Sequence, residues 1–93
     1  MKIGMVAVHY PKDRYRQEFV GRVSAAAAAV GEAPGCLAAD CWVTEDGTVV
    51  STAQWESETA MRESFAAAEK AGVDFTFDDR EDRPRNIMRL ISP

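Results

Sequence analysis

The sequence predicts one small α+β domain whose strands and helices follow the order β-α-β-β-α-β. Three observations predict it: two segments with apolar residues at helical spacing, strand-like runs near both ends, and an Asp46-Gly47 pair between two further strand-like runs. The chain has 93 residues, which is the length of a single domain. We therefore expect residues 1–93 to form one domain with one core.

The predicted first strand covers residues 2–10 and has apolar side chains on both faces. One face carries Ile3, Met5 and Ala7, and the other carries Val6 and Val8. A strand with two apolar faces is typical of a sheet that is covered on both sides.

Two helices are predicted from the spacing of apolar residues. The first helix should follow Pro11, with Asp13 as its cap and Gly31 at its end. Its apolar stripe consists of Tyr15, Phe19, Val23, Ala27 and Val30. The second helix should begin at the cap Ser57, and its inward stripe consists of Met61, Ser64, Phe65 and Ala68.

Between the helices, residues 36–44 and 48–56 predict two strands joined by a hairpin. Asp46-Gly47 is typical of a two-residue turn, in which Glu45 would pair with Thr48. Cross-strand partners share a face, and one face would then carry Ala38, Asp40, Trp42, Ser51, Ala53 and Trp55. Large aromatics beside small residues predict an aromatic-lined hollow for a small molecule. The alternative is that both tryptophans fill the core, with each N–H bonded to a carbonyl.

Residues 85–92 predict the last strand, which follows a possible short extended segment at 73–77 and a charged loop at 78–84. The complete order is that of a ferredoxin-like fold, in which two helices cover one face of a four-stranded antiparallel sheet. The second face is also apolar, and the chain has no further element to cover it. A second copy of the chain is the simplest cover, so the sequence predicts a homodimer.

Charge and composition exclude several classes of partner. The net charge of −4 argues against binding to nucleic acid or to an anionic membrane. No apolar run has the length of a membrane span, and the N terminus lacks the pattern of a signal peptide, so we expect a cytoplasmic protein. Cys36 and Cys41 are expected to be free thiols on opposite faces of one strand.

Few residues have the chemistry of a catalytic group. His9, the only histidine, ends the first strand and could act as a base, although a surface histidine at a strand end is the alternative. A single histidine and the absence of a glycine-rich phosphate loop predict neither a metal nor another cofactor. Arginines and acids alternate between residues 78 and 89, which favours a solvated loop over an anion-binding edge.

Three segments carry a resemblance to a known family: APGCL at 33–37, DGTVV at 46–50 and AQWESETA at 53–60. Together they resemble the core motif of antibiotic biosynthesis monooxygenase domains. This resemblance implies a dimeric α/β barrel, in which two ferredoxin-like sheets pack together and each subunit has a ligand cavity between its sheet and helices. Some members oxidise aromatic polyketides with molecular oxygen and without metal, flavin or haem, and the phenolate of the substrate is thought to supply the electron.

The resemblance also assigns candidate residues. Trp55 matches the tryptophan of the family, whereas Ser51, Met61 and Trp42 stand where the polyketide oxygenases carry asparagine, tyrosine and histidine. Phe65 stands where the haem-degrading members carry a histidine ligand, which argues against haem degradation.

The sequence as a whole predicts a cofactor-independent monooxygenase that acts on a small aromatic or polyketide-like molecule. The expected catalytic residues are Trp55, Ser51 and His9, and the expected substrate-binding residues are Trp42, Asp40, Met61 and Phe65. The two tryptophans would sandwich the substrate. The alternatives are a non-catalytic ligand-binding or dimeric interaction protein, and an enzyme that catalyses isomerisation or cyclisation on the same scaffold.

Overall fold

The computed structural model describes all residues, 1–93, and contains four strands and two α-helices. The elements in chain order are β1 (Ile3–His9), α1 (Arg16–Gly31), β2 (Cys36–Val43), β3 (Val49–Trp55), α2 (Glu58–Lys70) and β4 (Asn86–Ile91). A short 3-10 turn, Asp13–Tyr15, precedes α1. The predicted order β-α-β-β-α-β is confirmed, but residues 73–77 form no strand.

The four strands form one antiparallel sheet in the order β2-β3-β1-β4. Both helices pack on the same face of this sheet and against each other. The ferredoxin-like fold predicted from the sequence is therefore confirmed. Neither helix has the length and hydrophobicity that crossing a bilayer would require.

The turn between β2 and β3 differs from the prediction, because it contains three residues and not two. The N–H of Gly47 donates to the carbonyl of Thr44 at 3.0 Å, and Thr44 donates its N–H to Thr48 at 2.9 Å. Gly47 has a φ of 88°, in the left-handed region that glycine adopts without a steric penalty. This is a type I turn followed by a left-handed glycine, the usual three-residue hairpin loop.

The longer turn shifts the hairpin register by one residue from the predicted one. Trp42 pairs with Val50, and Asp40 pairs with Thr52. Because successive side chains in a strand point to opposite faces, a shift of one residue moves the whole set to the other face. The prediction that Trp42 and Asp40 share a face with Trp55 is therefore wrong.

A bulge at the start of β2 corrects the prediction for the two cysteines. The register shifts between Cys36 and Ala38, so Cys36 pairs with Trp55 while Cys41 pairs with Ser51. Both thiols therefore lie on the face that the helices cover, and not on opposite faces as expected. Both cysteines are free.

Of the two predicted N-terminal caps, only that of α2 forms. The Ser57 hydroxyl accepts a hydrogen bond from the N–H of Ala60 at 3.1 Å, which satisfies one of the free N–H groups at the start of α2. Asp13 makes no such cap and instead pairs with Arg16 at 2.5 Å.

We call the helix-covered side of the sheet the inner face and the opposite side the outer face. The inner face and the helices bury the larger core cluster, which consists of Ile3, Val30, Trp55, Ala60, Met61 and Ala68. The outer face carries Val6, Val8, Trp42, Val50, Met88 and Leu90. Trp42, Met88 and Leu90 are 58%, 45% and 48% exposed, so this apolar face has no cover within the chain.

Candidate ligand-binding site

A cavity of about 350 Å³ lies between the inner face of the sheet and the two helices. Strand β1 contributes Met5, Ala7 and His9 to its lining, and β3 contributes Ser51, Ala53 and Trp55. Most of the lining side chains are apolar. The volume lies at the small end of the range that ligand sites have in proteins, which suits a molecule of one or two fused rings.

Alanines create this space, because their methyl groups leave room where larger side chains would fill the core. Ala7, Ala39 and Ala53 line the cavity from the sheet, and Ala26 and Ala27 line it from α1. The alanine-rich run of α1 therefore forms part of the cavity wall.

Three aromatic rings form one wall of the cavity. The ring centroids of Trp55 and Phe65 lie 5.6 Å apart, and those of Phe65 and Phe75 lie 5.4 Å apart. Tilted contacts at these distances are favourable between aromatic rings. The Trp55 N–H donates to the Ser64 hydroxyl at 2.7 Å, and this hydroxyl donates to the Met61 carbonyl at 2.8 Å. Trp55 therefore offers a ligand its ring and not its N–H.

His9 is buried at the edge of the cavity, so the alternative of a surface histidine is wrong. Its Nδ1 lies 3.5 Å from Oε1 of Glu81, and its ring centroid lies 5.5 Å from that of Phe19. Burial and the positive charge of Arg85 lower the pKa of His9 below 6.5, and the nearby Glu81 carboxylate only partly opposes them. His9 is therefore neutral at neutral pH.

The segment that was expected to be a solvated loop contains a buried glutamate. The Glu81 side chain is fully buried, and its Oε2 accepts a hydrogen bond from Nη2 of Arg85 at 2.5 Å. Nη1 of Arg85 donates to the Phe75 carbonyl at 2.9 Å, and Arg22 donates to the Thr76 carbonyl at 2.6 Å. The two arginines thus hold the chain after α2 against the cavity.

Arg22, Glu81 and Arg85 were not predicted for the site from the sequence. Val23 belongs to the apolar stripe of the first helix, and Arg22 is its neighbour in sequence. This position is the one signal that could have indicated a role for Arg22 in the site. No local pattern marks Glu81, because its burial depends on pairing with residues 10–12, which are distant in sequence.

The structure brings together four of the seven residues that were predicted for the site. His9, Ser51, Trp55 and Phe65 line the cavity. Trp42 and Asp40 lie on the outer face, so the predicted tryptophan sandwich is wrong, and the changed hairpin register is the reason. Met61 is buried in the core and does not line the cavity. The roles of these residues remain predictions.

The geometry suits a small, mostly apolar molecule with a polar group near His9 and Ser51. No three His, Cys, Asp or Glu side chains lie close enough together to hold a metal ion. In the antiparallel register, Ser51 pairs with Ala7 and Val49 pairs with His9, so the Cβ atoms of His9 and Ser51 are diagonal neighbours, roughly 7 Å apart.

Solved structures share this fold at low sequence identity. Rv0793 from Mycobacterium tuberculosis is 18% identical, with a TM-score of 0.82 and coverage of 100% of this chain and 96% of that chain. A conserved protein from Methanosarcina mazei is 14% identical, with a TM-score of 0.82 and coverage of 97% and 91%. A variant of SnoaB, a cofactor-independent oxygenase from Streptomyces nogalater, is 15% identical, with a TM-score of 0.72 and coverage of 98% and 92%.

These likenesses establish the fold alone, because all three identities are below the level at which function can be transferred. No functionally curated protein matches the chain in sequence. The family model for antibiotic biosynthesis monooxygenases matches residues 3–70, which include β1, both helices, the hairpin and most of the cavity lining. The chain therefore belongs to the antibiotic biosynthesis monooxygenase family.

Proposed function

We propose that this protein is a cofactor-independent monooxygenase that acts on a small phenolic aromatic molecule. The observation that carries the proposal is the cavity of about 350 Å³, with aromatic rings on one wall and a neutral imidazole at its edge. Membership of the family and the likeness in fold to a cofactor-independent oxygenase support the type of reaction.

In this proposal the cavity residues have two kinds of role. Trp55 and Phe65 pack against the aromatic ring of the substrate, while Ser51 and His9 contact its hydroxyl group. A largely apolar cavity excludes water and strengthens these few polar contacts. The protein thus holds the substrate and favours its phenolate, which is the form that reacts with oxygen.

The reaction balances with molecular oxygen as the only co-reactant. A phenol with a free ring position gains one oxygen atom there and becomes a quinone, and the second oxygen atom leaves as water together with the two hydrogens. The substrate supplies the electrons, so no flavin, haem or metal is required in this proposal.

The test is oxygen uptake by the purified protein with 1-naphthol and 1,8-dihydroxynaphthalene, in the presence of excess chelator. We expect uptake above that of heat-inactivated protein and, with isotopically labelled oxygen, one labelled atom in the quinone. Loss of activity with the chelator would overturn the cofactor-free mechanism.

The two tryptophans provide a matched pair of variants for this test. Trp55→Phe should lower turnover and weaken binding, because Trp55 lines the cavity, whereas Trp42→Phe changes a residue on the opposite face. Binding can be measured without reaction by titrating 1-naphthol under nitrogen and following the fluorescence of Trp55 in the Trp42→Phe variant.

A second candidate function is the binding of a small aromatic molecule without catalysis. The bond between the Trp55 N–H and Ser64 favours it, since the indole has no free donor for a substrate oxygen. Tight binding of 1-naphthol under nitrogen, with no oxygen uptake on any phenol of the series, would favour this candidate over the oxygenase.

We also propose that the protein is a homodimer in which the outer faces of two sheets pack together. Exposed Trp42, Met88 and Leu90 on that face support this arrangement, because large apolar patches on a small domain mark interaction surfaces. Light scattering at micromolar concentration should give twice the chain mass of 10.2 kDa. A stable monomer at that concentration would contradict the dimer.

A further inference from the structure

His9 and Glu81 face each other through two buried atoms that have no other partner. Nδ1 of His9 lies 3.5 Å from Oε1 of Glu81, and neither atom has a hydrogen-bond partner in the structure. Buried polar groups are rarely left without a partner, so two such atoms that face each other require an explanation. The oxygenase chemistry described above gives no role to Glu81.

Backbone pairing fixes Glu81 beside the end of β1. The N–H of Lys12 donates to the Arg80 carbonyl at 2.8 Å, and the N–H of Asp82 donates to the Tyr10 carbonyl at 2.7 Å. These bonds flank a bridge between Pro11 and Glu81. The position of the carboxylate relative to His9 is therefore set by main-chain bonds and does not depend on its side chain alone.

Arg85 pairs with the buried carboxylate of Glu81 through one of its two oxygens. Its Nη2 donates to Oε2 of Glu81 at 2.5 Å, and its Nη1 is held by the Phe75 carbonyl. Because the Arg85 guanidinium occupies Oε2, the oxygen that faces His9 is Oε1, which is left as an acceptor. A neutral imidazole beside this acceptor carries its proton on Nδ1.

We propose that Glu81 is a positioning residue that holds His9 in the Nδ1–H tautomer, so that Nε2 accepts the hydroxyl proton of a phenol bound in the cavity. The proposal rests on the function proposed above and adds a residue to it. In the step, the phenol O–H bond breaks and an Nε2–H bond forms. The products are a phenolate and an imidazolium, and the Glu81 carboxylate offsets the charge of the imidazolium.

The direction of the phenol follows from the distribution of polar groups in the cavity. One polar cluster consists of His9, Glu81, Arg85 and Arg22. The two arginines are linked through the Thr76 carbonyl, to which Arg85 donates at 3.5 Å and Arg22 at 2.6 Å. Trp55, Phe65 and Phe75 make the other wall apolar. A phenol satisfies both regions when its hydroxyl points to His9 and its ring lies against the aromatic wall.

The first test is nitrogen-15 NMR of the imidazole, which is unambiguous because the chain has one histidine. At about pH 8, where the imidazole is neutral, we expect the signature of a protonated Nδ1 and an unprotonated Nε2. This is the opposite of the tautomer that free histidine prefers in water. A proton on Nε2 in the native protein would overturn the proposal.

Glu81→Gln is the decisive variant. Arg85 can only donate, so it should take the amide oxygen and leave the NH₂ group towards His9. Nδ1 must then accept, and the proton should move to Nε2. Asp79→Asn, an exposed acid two positions away, is the matched control and should leave the tautomer unchanged. An unchanged tautomer in folded Glu81→Gln would contradict the positioning role. If that variant does not fold, the native spectrum alone decides.

Kinetics with 1-naphthol and oxygen provide a second measurement. Glu81→Gln should lower kcat by about 10²-fold, the size of a general-base contribution, with a much smaller change in KM. A purely structural role would instead lower the fraction of folded protein and leave the tautomer as it was.

The outcomes separate this proposal from the proposed function. The tautomer requires no substrate, so an Nε2–H signal refutes the role of Glu81 even if oxygen uptake is found. If no phenol is oxidised but 1-naphthol under nitrogen shifts the Nε2 resonance in the native protein and not in Glu81→Gln, the oxygenase is refuted and the positioning role stands.

Discussion

The two faces of the sheet use the same residue type for different purposes. Trp55 on the inner face is fully buried, and its N–H donates a hydrogen bond to the Ser64 hydroxyl. Trp42 on the outer face is 58% exposed, and its N–H donates to the Thr52 hydroxyl at 3.0 Å. Both indoles are satisfied, so hydrogen bonding does not distinguish them. What distinguishes them is the element that lies above each: helices and a cavity over Trp55, and nothing within the chain over Trp42.

The two apolar faces of the sheet therefore have separate roles. The inner face forms the core and leaves a cavity, while the outer face exposes apolar side chains that no other part of the chain covers. Substitutions on the inner face should therefore act within one chain, and substitutions on the outer face should act through association.

The largest expected effect comes from removing the buried indole. Trp55→Ala should lower the free energy of unfolding by about 3–5 kcal/mol, because it deletes a fully buried aromatic side chain. Trp42→Ala should cost less, and its cost should depend on protein concentration. Urea denaturation at two protein concentrations measures both. Equal losses that are independent of concentration would remove the distinction between the faces.

A charge on the outer face should weaken the proposed dimer. Met88→Lys places an ammonium group in the apolar contact of both subunits, with an expected cost of about 2–4 kcal/mol of association free energy. Light scattering over a dilution series should show monomer at concentrations where the native protein is dimeric. Ala66→Lys, on the exposed side of α2, is the control and should leave the mass unchanged.

The hydrogen bond beneath the inner tryptophan should have a smaller effect. Ser64→Ala leaves the Trp55 N–H buried without an acceptor, with an expected cost of about 1–3 kcal/mol. Ser24→Ala, at an exposed position of α1, should change stability by less than about 0.5 kcal/mol. Thermal or urea unfolding monitored by Trp fluorescence checks both variants, and equal stability would contradict the buried bond.

The smallest expected effect is a dependence of stability on pH that arises from His9. The pKa of His9 is lowered in the folded state, so the unfolded chain binds the proton of His9 more readily. The contribution of His9 to the free energy of unfolding is therefore fully present above pH 6.5 and is lost as the pH falls below that value. Burial is the largest cause of the lowered pKa, Arg85 and Arg22 lower it further, and Glu81 opposes them. At about pH 5.5 the loss should be at most about 1.4 kcal/mol.

The control for this pH effect is His9→Gln, which keeps every carboxylate and removes the imidazole. The difference in unfolding free energy between the native protein and this variant should therefore change between about pH 7.5 and pH 5.5. A difference that stays constant over that range would contradict the lowered pKa.

The sequence allowed the elements to be predicted because their apolar spacing is local. The apolar run of β1 and the helical stripe of Phe19, Val23 and Val30 are properties of neighbouring residues, and the structure buries that stripe. The predicted pairing of β2 was wrong by one residue, because a single residue of loop length at Asp46-Gly47 decides it. Glu81 was missed since its burial depends on pairing with a segment about seventy positions earlier, which no window of sequence contains.

The residues that were predicted to line the cavity show the same limit of prediction from sequence. Ser51 and Trp55 lie on the same strand, β3, at an even separation. Because side chains alternate between the two faces of a strand, their common face could be predicted. Trp42 was assigned to that face through a turn type, and the assignment failed with the turn. The alternation predicted within β3 is therefore confirmed, whereas the bulge in β2 and the length of the loop changed the predicted faces of the β2 residues.

The three-residue hairpin loop has a consequence for the order of folding events. The Asp46-Gly47 pair is typical of the shorter turn, whereas the native pairing of β2 with β3 uses the longer one, so the local preference and the native register disagree at this point. Hairpins form in about 1–10 microseconds, before distant segments meet. An early hairpin in the shorter register would pair Trp42, instead of Cys41, with Ser51. The hydrogen bonds between its two strands would have to break before the native register and the packing of α1 could form. The turn is thus a point of frustration in an otherwise locally consistent chain.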